Sequence, residues 1–565
     1  MNTTPGGAFL AARDFLQAHC NDYERAYAGF QWPVLDEFNW ALDFFDVQSS
    51  YNERTALWIV NEDGSESRSS FANLTERSNR VANWLRGLGV ARGDRVLVML
   101  PNITPLWEIS LALMKLGAVA SPASTLLSSP EAIDRIERGA VGHIITDTAN
   151  IANFDTLTKP CTRIVVGDQA PGWTSFSQAD GASATFTPQG VTRATDPLLL
   201  YFTSGTTAKP KMVLHSHQSY PMGHLSTMYW IGLQPGDIHW NISSPGWAKH
   251  AWSCLFAPWN AGACVFIYNQ PRFDAKRTLQ TLVRHGITSL CAPPTVWRSL
   301  ILEPLAEYPV KLRALVSAGE PLNPQIIDTV QRAWAINIRD GYGQTETTCV
   351  IGNSPGQPIE AGSVGRPMPG YRIALLDADG KSANLGEINL QLRPSPVGLM
   401  IDYPGDRQRT ADLLTGDYFS TSDIATRDEK GYFHYVGRVD DVFKSSDYRI
   451  SPFELESLLI EHEAVAEAAV VPSPDALRLS VPKAYIVLKP DVEACAQVAQ
   501  SILRFVAAGT APYKRIRRIE FADLPKTISG KIRRAQLRQA EHEHGRKRGP
   551  LEFWEEDFPA FKRAT

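Results

Sequence analysis

A hydroxyl- and glycine-rich stretch, Thr203-Ser204-Gly205-Thr206-Thr207-Ala208-Lys209-Pro210-Lys211, has the make-up of an anion cradle. In such a loop successive backbone N–H groups and small hydroxyls converge on a negative group, and Lys211 adds a full positive charge. A Walker loop is excluded: counting from Gly205, that motif needs Gly-Lys-Ser/Thr where this chain has Pro210-Lys211-Met212. A second stretch, Gly341-Tyr342-Gly343-Gln344-Thr345-Glu346-Thr347, joins a stacking ring to hard oxygens. Its glycines let the backbone approach a flat ligand, Tyr342 can stack on a purine, and Thr345 and Glu346 can offer oxygens to Mg2+. Ser317-Ala318-Gly319-Glu320-Pro321 can line the same adenine pocket, although alone it carries little. Asp423 can accept hydrogen bonds from two ribose hydroxyls and Arg438 can reach ribose or phosphate; each, seen alone, reads equally as surface charge. Near the C-terminus, the Ser529-Gly530 turn presents Lys531 at its tip. Plain alternatives stay open for each stretch: a polar surface turn, a solvated acid at Glu346, a basic turn at Lys531.

The elements that must position these residues are legible from periodicity. Residues 198–202 read as a short buried strand running into the first loop, 336–339 as a strand before the second, and 314–317 as a strand before Gly319. Phe71, Leu74, Val81, Leu85 and Leu88 recur at helical spacing and Gly89 ends that helix. A strand over 95–100, a helix over 106–115, a strand near 118–121, a helix from Ser129 and a strand over 142–147 follow. The alternation resumes with strand 263–268, helix 276–285, strand 289–292 and helix 295–302. Strands alternating with helices give βαβ units and parallel sheets, here an α/β fold of two stacked βαβ layers. From about Gly362 the period changes to two, with a hairpin over 371–376 and 386–392, which predicts a small β subdomain over 362–437. After Asp440 a separate small α/β unit is expected, with helix 452–461, strands 468–472 and 484–488, helix 497–507 and strand 516–521. Residues 1–50, rich in aromatics such as Trp32, Phe38, Trp40, Phe44 and Phe45, are expected to cap the main domain.

At 565 residues the chain exceeds a single core, and two or more domains are expected. A hydrophobic share of 44% with 21% charged residues is that of a globular protein, and a net charge of −4 makes no electrostatic case for nucleic acid. Seven dispersed cysteines without a Cys-x-x-Cys pair predict reduced core thiols rather than disulfides or zinc. His215-Ser216-His217 lacks further ligands at zinc spacing and reads as two loop histidines. The N-terminus lacks the features of a signal peptide, and the longest uncharged run, 251–271, carries prolines, asparagines and a glutamine. A cytoplasmic protein without a membrane span is expected.

Taken together and in order, these motifs resemble those of the adenylate-forming superfamily over about residues 50–540, with Ala208 standing where a glycine is usual. Within it the chain resembles the medium-chain acyl-CoA synthetases, on 201–211, 258–263, 341–347, 511–514 and 525–531. The resemblance implies a large AMP-binding domain over 1–438, including the β subdomain, a hinge at 439–441 centred on Asp440, and a mobile lid over 442–565. It implies a reaction in two steps: a carboxylate attacks Mg·ATP to give acyl-AMP and pyrophosphate, the lid rotates, and a thiol takes the acyl group. Lys531, Thr206 and Lys211 carry over as catalytic, with Lys531 bridging carboxylate and α-phosphate. A lysine about 4 Å from that charge is worth roughly 4 kcal/mol at an effective dielectric near 20, on the order of a thousandfold in rate. Thr203 to Thr207, Lys211, Gly319, Glu320, Pro321, Asp340 to Thr345, Asp423, Arg438 and Lys531 carry over as nucleotide contacts, and Thr206 and Glu346 as Mg2+ ligands.

For the thiol, the resemblance places Ser446, Asp447, Tyr448 and Arg449 beside a pantetheine channel, with Asp447 where glycine is usual. Arg478 and Arg517 are its candidates for the CoA phosphates, the latter within the basic run 514–518, which reads equally as a solvated strand edge. Free CoA is the expected acceptor because no carrier domain is fused to this chain; a carrier-protein phosphopantetheine is the alternative. A homologue that binds nucleotide without turnover, motivated by Ala208 and Asp447, is a third reading. For the acid, Trp247 and Gly343 carry over as pocket residues, Trp247 also reading as plain core. Lys249 and His250 read as facing solvent, so the expected acid is apolar: medium-chain, branched or aromatic.

Overall fold

Buried apolar strands that need both faces covered dominate the first half of the chain, and two large sheets result. The structure, a computed structural model, describes residues 4–203, 210–320, 322–360, 362–445, 448–475, 479–527, 531–544 and 548–558. It is a mixed α/β protein with a large N-terminal and a small C-terminal domain. By contacts it divides into two compact units, the first comprising Met1–Ile373, Leu390–Phe419 and Glu429–Phe433, the second Ala374–Asn389, Ser420–Asp428 and His434–Thr565.

In the first unit, one seven-stranded sheet runs in the order Thr174–Ser175, Thr162–Val166, His143–Asp147, Arg95–Met99, Val119–Pro122, Pro197–Thr203, Lys211–Ser216. It is parallel except for its last pair, where Thr203 faces Lys211 across an antiparallel ladder. That hairpin fixes both ends of the Ser/Thr loop; residues 204–209, including Ser204, Gly205, Thr206 and Thr207, lie outside the described residues. A nine-stranded sheet contains Ser289–Ala292, Ala314–Ala318 and Ile338–Gly343 as parallel neighbours. Local signals end the connecting helices. Glu131 accepts from the Ser128 N–H at 2.9 Å as a capping box for Ser129–Arg138, and Gly117, at φ 71°, closes Thr104–Leu116. The N-terminal aromatics pack as expected, with Phe9 stacked on Phe38 at 5.6 Å and the Trp32 Nε1–H bonded to the Gly370 carbonyl.

In the second unit, Val465–Asp475, Leu479–Leu488, Arg518–Phe521 and Glu552–Trp554 form a four-stranded sheet covered by the helices Pro452–Glu461 and Ala496–Gly509. The strand expected over 468–472 runs further at both ends. It pairs with its neighbour from Val465–Leu488 to Asp475–Leu479, and as an edge strand it tolerates Pro472 and Pro474. Helix Arg534–His544 and strand Glu552–Trp554 were not expected. The helix is mostly polar and is held by ion pairs, so it carries no apolar periodicity to read.

Candidate active site

The predicted residues fall into two groups, one in each unit. In the first unit the strand expected over 336–339 is observed as Ile338–Gly343, so Gly341, Tyr342 and Gly343 are strand residues rather than loop. Their glycines are steric necessities. A Cβ on Gly341 would lie 2.4 Å from the Trp230 ring, and one on Gly343 would lie 2.1 Å from the Thr348 carbonyl oxygen and 2.7 Å from the Trp252 ring. Tyr342 is 9% exposed on this strand. The turn after it is closed by the Gln344 N–H bonding Thr347 Oγ1 at 3.0 Å.

Glu346 is held at both ends of the residue. The Tyr403 hydroxyl donates to its Oε1 at 2.8 Å, and the Met400 N–H donates to its carbonyl at 2.8 Å. Burial and the neighbouring carboxylate push the Tyr403 hydroxyl well above its ordinary value, so it stays a donor. The carbonyl of Thr345 accepts from His215 Nε2 at 2.7 Å, while His215 Nδ1 lies 3.0 Å from Ser219 Oγ. Burial pushes the His215 ring down to about 3, so it is neutral. With Nε2 carrying the proton, Nδ1 is the acceptor for the serine hydroxyl. The two histidines expected in a loop are therefore core residues. His215 lies on the strand Lys211–Ser216 and His217 follows it, and both are fully buried. The continuous apolar run Met212-Val213-Leu214 just before it was the signal that could have placed His215 on a strand buried on both faces; nothing in the turn around Tyr403 marked its role.

Asp340 braces two segments. Its carboxylate accepts from the Leu322 and Gly341 N–H groups, each at 2.9 Å, and burial raises it to about 7 against the pull of those donors. Gly319, at φ 110°, needs the left-handed region at the end of Ala314–Ala318. Glu320 pairs with Arg298 at 3.6 Å, and Pro321 lies outside the described residues.

Trp247, expected at the acid, precedes the short helix Ala248–Ala251 and walls an apolar cavity of about 40 Å3 with Trp107, Met114, Leu199, Tyr201 and His250. Gly246, at φ 90°, packs so tightly that a Cβ would lie 2.3 Å from the Ser124 nitrogen. Lys249 and His250 do not face open solvent. Lys249 Nζ donates to the Ala318 carbonyl at 3.1 Å, tying this segment to Gly319. His250 is buried, bonds Asn102 Oδ1 at 2.9 Å and is pushed down to about 3 by burial, so the cavity wall carries no histidine charge. The Trp252 Nε1–H donates to the Tyr220 hydroxyl at 2.7 Å, which holds its ring against Gly343. Trp247 to Trp252, Ala318 and Gly343 of the first unit thus form one connected region.

In the second unit, Asp423 is 4% exposed and accepts from the Tyr435 hydroxyl at 3.0 Å, with Arg438 Nη1 at 3.7 Å. Ser422 beside it has φ 59°, a left-handed backbone rare for serine and of the kind that clusters at functional sites. Arg438 Nε reaches Asp440 Oδ1 at 3.0 Å. Lys531 is exposed; its N–H bonds Thr527 Oγ1 at 3.1 Å, and Lys526 and Ile532 form an antiparallel bridge, while Ser529 and Gly530 lie outside the described residues. Ser446, Asp447 and Arg478 lie outside the described residues, and Tyr448 and Arg449 lie on the strand Tyr448–Ile450. The basic run 514–518 is not a solvated edge: Lys514 pairs with Glu454, Arg517 with Glu555 and Arg518 with Asp475. A phosphate at Arg517 would have to compete with Glu555. All seven cysteines are free thiols. Among the described residues no group of three or more His, Cys, Asp or Glu is arranged to hold a metal, and no helix is long and apolar enough to cross a membrane.

The family model for AMP-binding enzymes matches residues 44–390, and that for the AMP-binding enzyme C-terminal domain matches residues 454–531. The chain is 38% identical to the mitochondrial acyl-coenzyme A synthetase ACSM3 of Rattus norvegicus, over 94% of this chain and 95% of that protein. It is 40% identical to 4-hydroxybutyrate–CoA ligase 1 of Metallosphaera sedula, over 92% and 93%. Its structure is similar to that of the anthranilate CoA ligase AuaEII in complex with anthranoyl-AMP, with a TM-score of 0.83 and 29% identity over 90% of this chain and 98% of that one.

Proposed function

Because the chain belongs to the AMP-binding enzyme family, we propose that it is an AMP-forming acid–CoA ligase. The observation that carries this reading is the near end-to-end likeness, at 38% and 40% identity, to two acid–CoA ligases. Their acceptor is CoA, which supports free CoA over a carrier-protein thiol. In the first step a carboxylate oxygen bonds the α-phosphorus of ATP, and the bond to the pyrophosphate oxygen breaks with its electron pair. In the second step the CoA sulfur attacks the acyl carbon, the thiol proton leaves to solvent, and AMP departs with the mixed-anhydride electron pair. The chemistry asks the protein to hold reactants in line and to offset charge on phosphate.

The residues take these roles in the proposal. Thr203 to Thr207 and Lys211 grip the phosphates, Gly319, Glu320, Pro321 and Asp340 to Thr345 hold the adenine, and Asp423 and Arg438 take the ribose. Lys531 bridges the acid and the α-phosphate. Trp247 and Gly343 border the acid, and the apolar cavity beside Trp247 with its neutral His250 supports an apolar acid. The segment 442–565 turns about Asp440 between steps, bringing Ser446, Asp447, Tyr448 and Arg449 to the pantetheine, with Arg478 and Arg517 toward the CoA phosphates. Glu346, with Thr206, would hold Mg2+. The fit is good for Glu346, a hard oxygen donor whose carboxylate is oriented by Tyr403. When bound, Mg2+ would supply positive charge to the phosphates and the departing pyrophosphate.

Incubation with ATP, Mg2+ and a panel of carboxylic acids tests the reading. Acid-dependent pyrophosphate exchange, with AMP release stimulated by CoA, is expected. Exchange without CoA-stimulated AMP release would point to a carrier acceptor, and no exchange with any acid to a binding protein. Lys531→Ala is expected to lower exchange on the order of a thousandfold while sparing transfer from preformed acyl-AMP.

A further inference from the structure

The helix Arg534–His544 that follows Lys531 is fastened at three points along one face. Arg534 meets Glu456 on the helix Pro452–Glu461, with Nε 2.9 Å from Oε1. Glu541 receives Lys483 Nζ at 2.6 Å from the strand Leu479–Leu488. Between them Arg538 pairs with Asp441, and the neighbouring Leu537 is buried beside Val471 and Tyr485. The outer two contacts reach the body of the small domain; the middle one reaches the turn that follows Arg438. In that turn the Arg438 carbonyl accepts from the Asp441 and Val442 N–H groups at 3.1 and 2.9 Å. The Arg438 side chain meets Asp440 at 3.0 Å and Asp423 at 3.7 Å. Two sets of ion pairs therefore meet at this turn, Arg438 with Asp423 and Asp440, and Arg538 with the adjacent Asp441. The hairpin bearing Lys531 is closed by its own backbone, with the Thr527 N–H on the Lys531 carbonyl and the Arg533 N–H on the Pro525 carbonyl, both at 2.8 Å.

We propose that the Asp441–Arg538 pair is a strut that fixes Lys531 to the turn at Asp440, so that turn, helix and hairpin move as one body. Arg538 is then a positioning residue for the first half-reaction. This rests on the reading of Lys531 as the adenylation lysine and Asp440 as the pivot. Both partners are half-buried, at 22% and 16% side-chain exposure, so the contact is only partly screened by water. The guanidinium fork matters as well as the charge, and lysine is a partial substitute at best.

The full chain is assayed as Arg538→Met, Arg538→Lys, Lys531→Ala, the Arg538→Met/Lys531→Ala double variant and the Asp441→Arg/Arg538→Asp exchange. Acid-dependent pyrophosphate exchange and CoA transfer from preformed acyl-AMP are measured separately. Arg538→Met is expected to lower the exchange kcat about 30-fold with KM for ATP changed less than about threefold, and to leave transfer within about threefold. Arg538→Lys is expected to lose about fivefold, the charge exchange to recover part of the loss, and Arg538→Met to cost almost nothing further on Lys531→Ala. Equal slowing of both half-reactions by Arg538→Met, or a full multiplicative loss on top of Lys531→Ala, overturns the proposal, because the helix then only stabilises the domain. If Arg538→Met does not fold, Arg538→Lys and the charge exchange decide by the same split. Equal impairment of both half-reactions by Lys531→Ala alone removes the premise, and it is recognised without any Arg538 variant.

Discussion

His215 Nε2 lies 2.7 Å from the carbonyl oxygen of Thr345, a residue 130 positions further along the chain. The bond joins the strand that leaves the Ser/Thr loop to the segment that carries Glu346. A neutral imidazole with its second nitrogen on Ser219 is a fixed donor, so the Thr345 carbonyl, next to Glu346, is held against the strand Lys211–Ser216.

His215→Phe keeps a ring of similar volume and removes that donor. Leaving the Thr345 carbonyl unpaired is expected to cost about 1–3 kcal/mol of stability. On the proposed role of Glu346 as a Mg2+ ligand, a weakly held 341–347 segment is also expected to lower pyrophosphate exchange about tenfold or more. Thermal unfolding and exchange kinetics on one preparation check both numbers.

Acid sensitivity follows from the buried histidines. His215, His217, His239 and His250 are each pushed down to about 3 by burial, from an ordinary value near 6.5. Between those two values the unfolded chain binds a proton at each position and the folded chain does not. Stability is therefore complete above about pH 6.5 and falls as the pH is lowered toward 3, by up to about 1.4 kcal/mol per pH unit for each histidine. The thermal midpoint is expected to drop steeply from pH 6.5 to 4.5 and to be recovered in part, at low pH only, in His239→Gln. A flat profile over that range would contradict the neutral assignment.

Glu346→Gln separates charge from architecture. The amide oxygen still accepts from Tyr403, so the unfolding free energy is expected to stay within about 1 kcal/mol of the parent, the usual scale of one neutral hydrogen bond. Exchange is expected to fall by about two orders of magnitude and the Mg2+ concentration for half-maximal rate to rise. Tyr403→Phe, which leaves the carboxylate but not its orientation, is expected to cost about tenfold if Glu346 holds Mg2+ as proposed. Titration of the rate with Mg2+ measures each.

Trp247→Leu opens the wall of the 40 Å3 cavity, which on the proposed function borders the acid. Bulkier or longer acids are expected to gain in kcat/KM relative to the acid preferred by the parent, by about 10–100-fold for one or two added methylenes. Measurement of kcat/KM across a homologous series of acids tests this, and an unchanged preference would place Trp247 in the core rather than at the acid.

Much of the architecture was legible one residue type at a time. The strand at Ser289–Ala292 was expected at its observed bounds, and the helix Ala275–Arg284 within one residue, because buried parallel strands and amphipathic helices announce themselves by run length and period. Glycines misled at 341–343, where composition suggests a loop but the Trp230 and Trp252 rings leave a strand no room for a Cβ. Histidines misled at 215 and 217, since hydrophilic type says nothing of a partner far away in the chain. Helix Arg534–His544 was invisible because its anchors are Glu456, Asp441 and Lys483, each supplied by another segment.

The amino-acid sequence by itself determined the family, the alternating α/β plan and which residues are chemically able to grip phosphate, ribose and metal, because these depend on local backbone period and on functional groups that each stretch carries alone. Tertiary structure alone decided which of those groups are already committed. Asp340 is occupied by two backbone donors, Arg517 by Glu555 and Glu346 by Tyr403. The charge and orientation of a side chain depend on neighbours that only folding brings within hydrogen-bond reach.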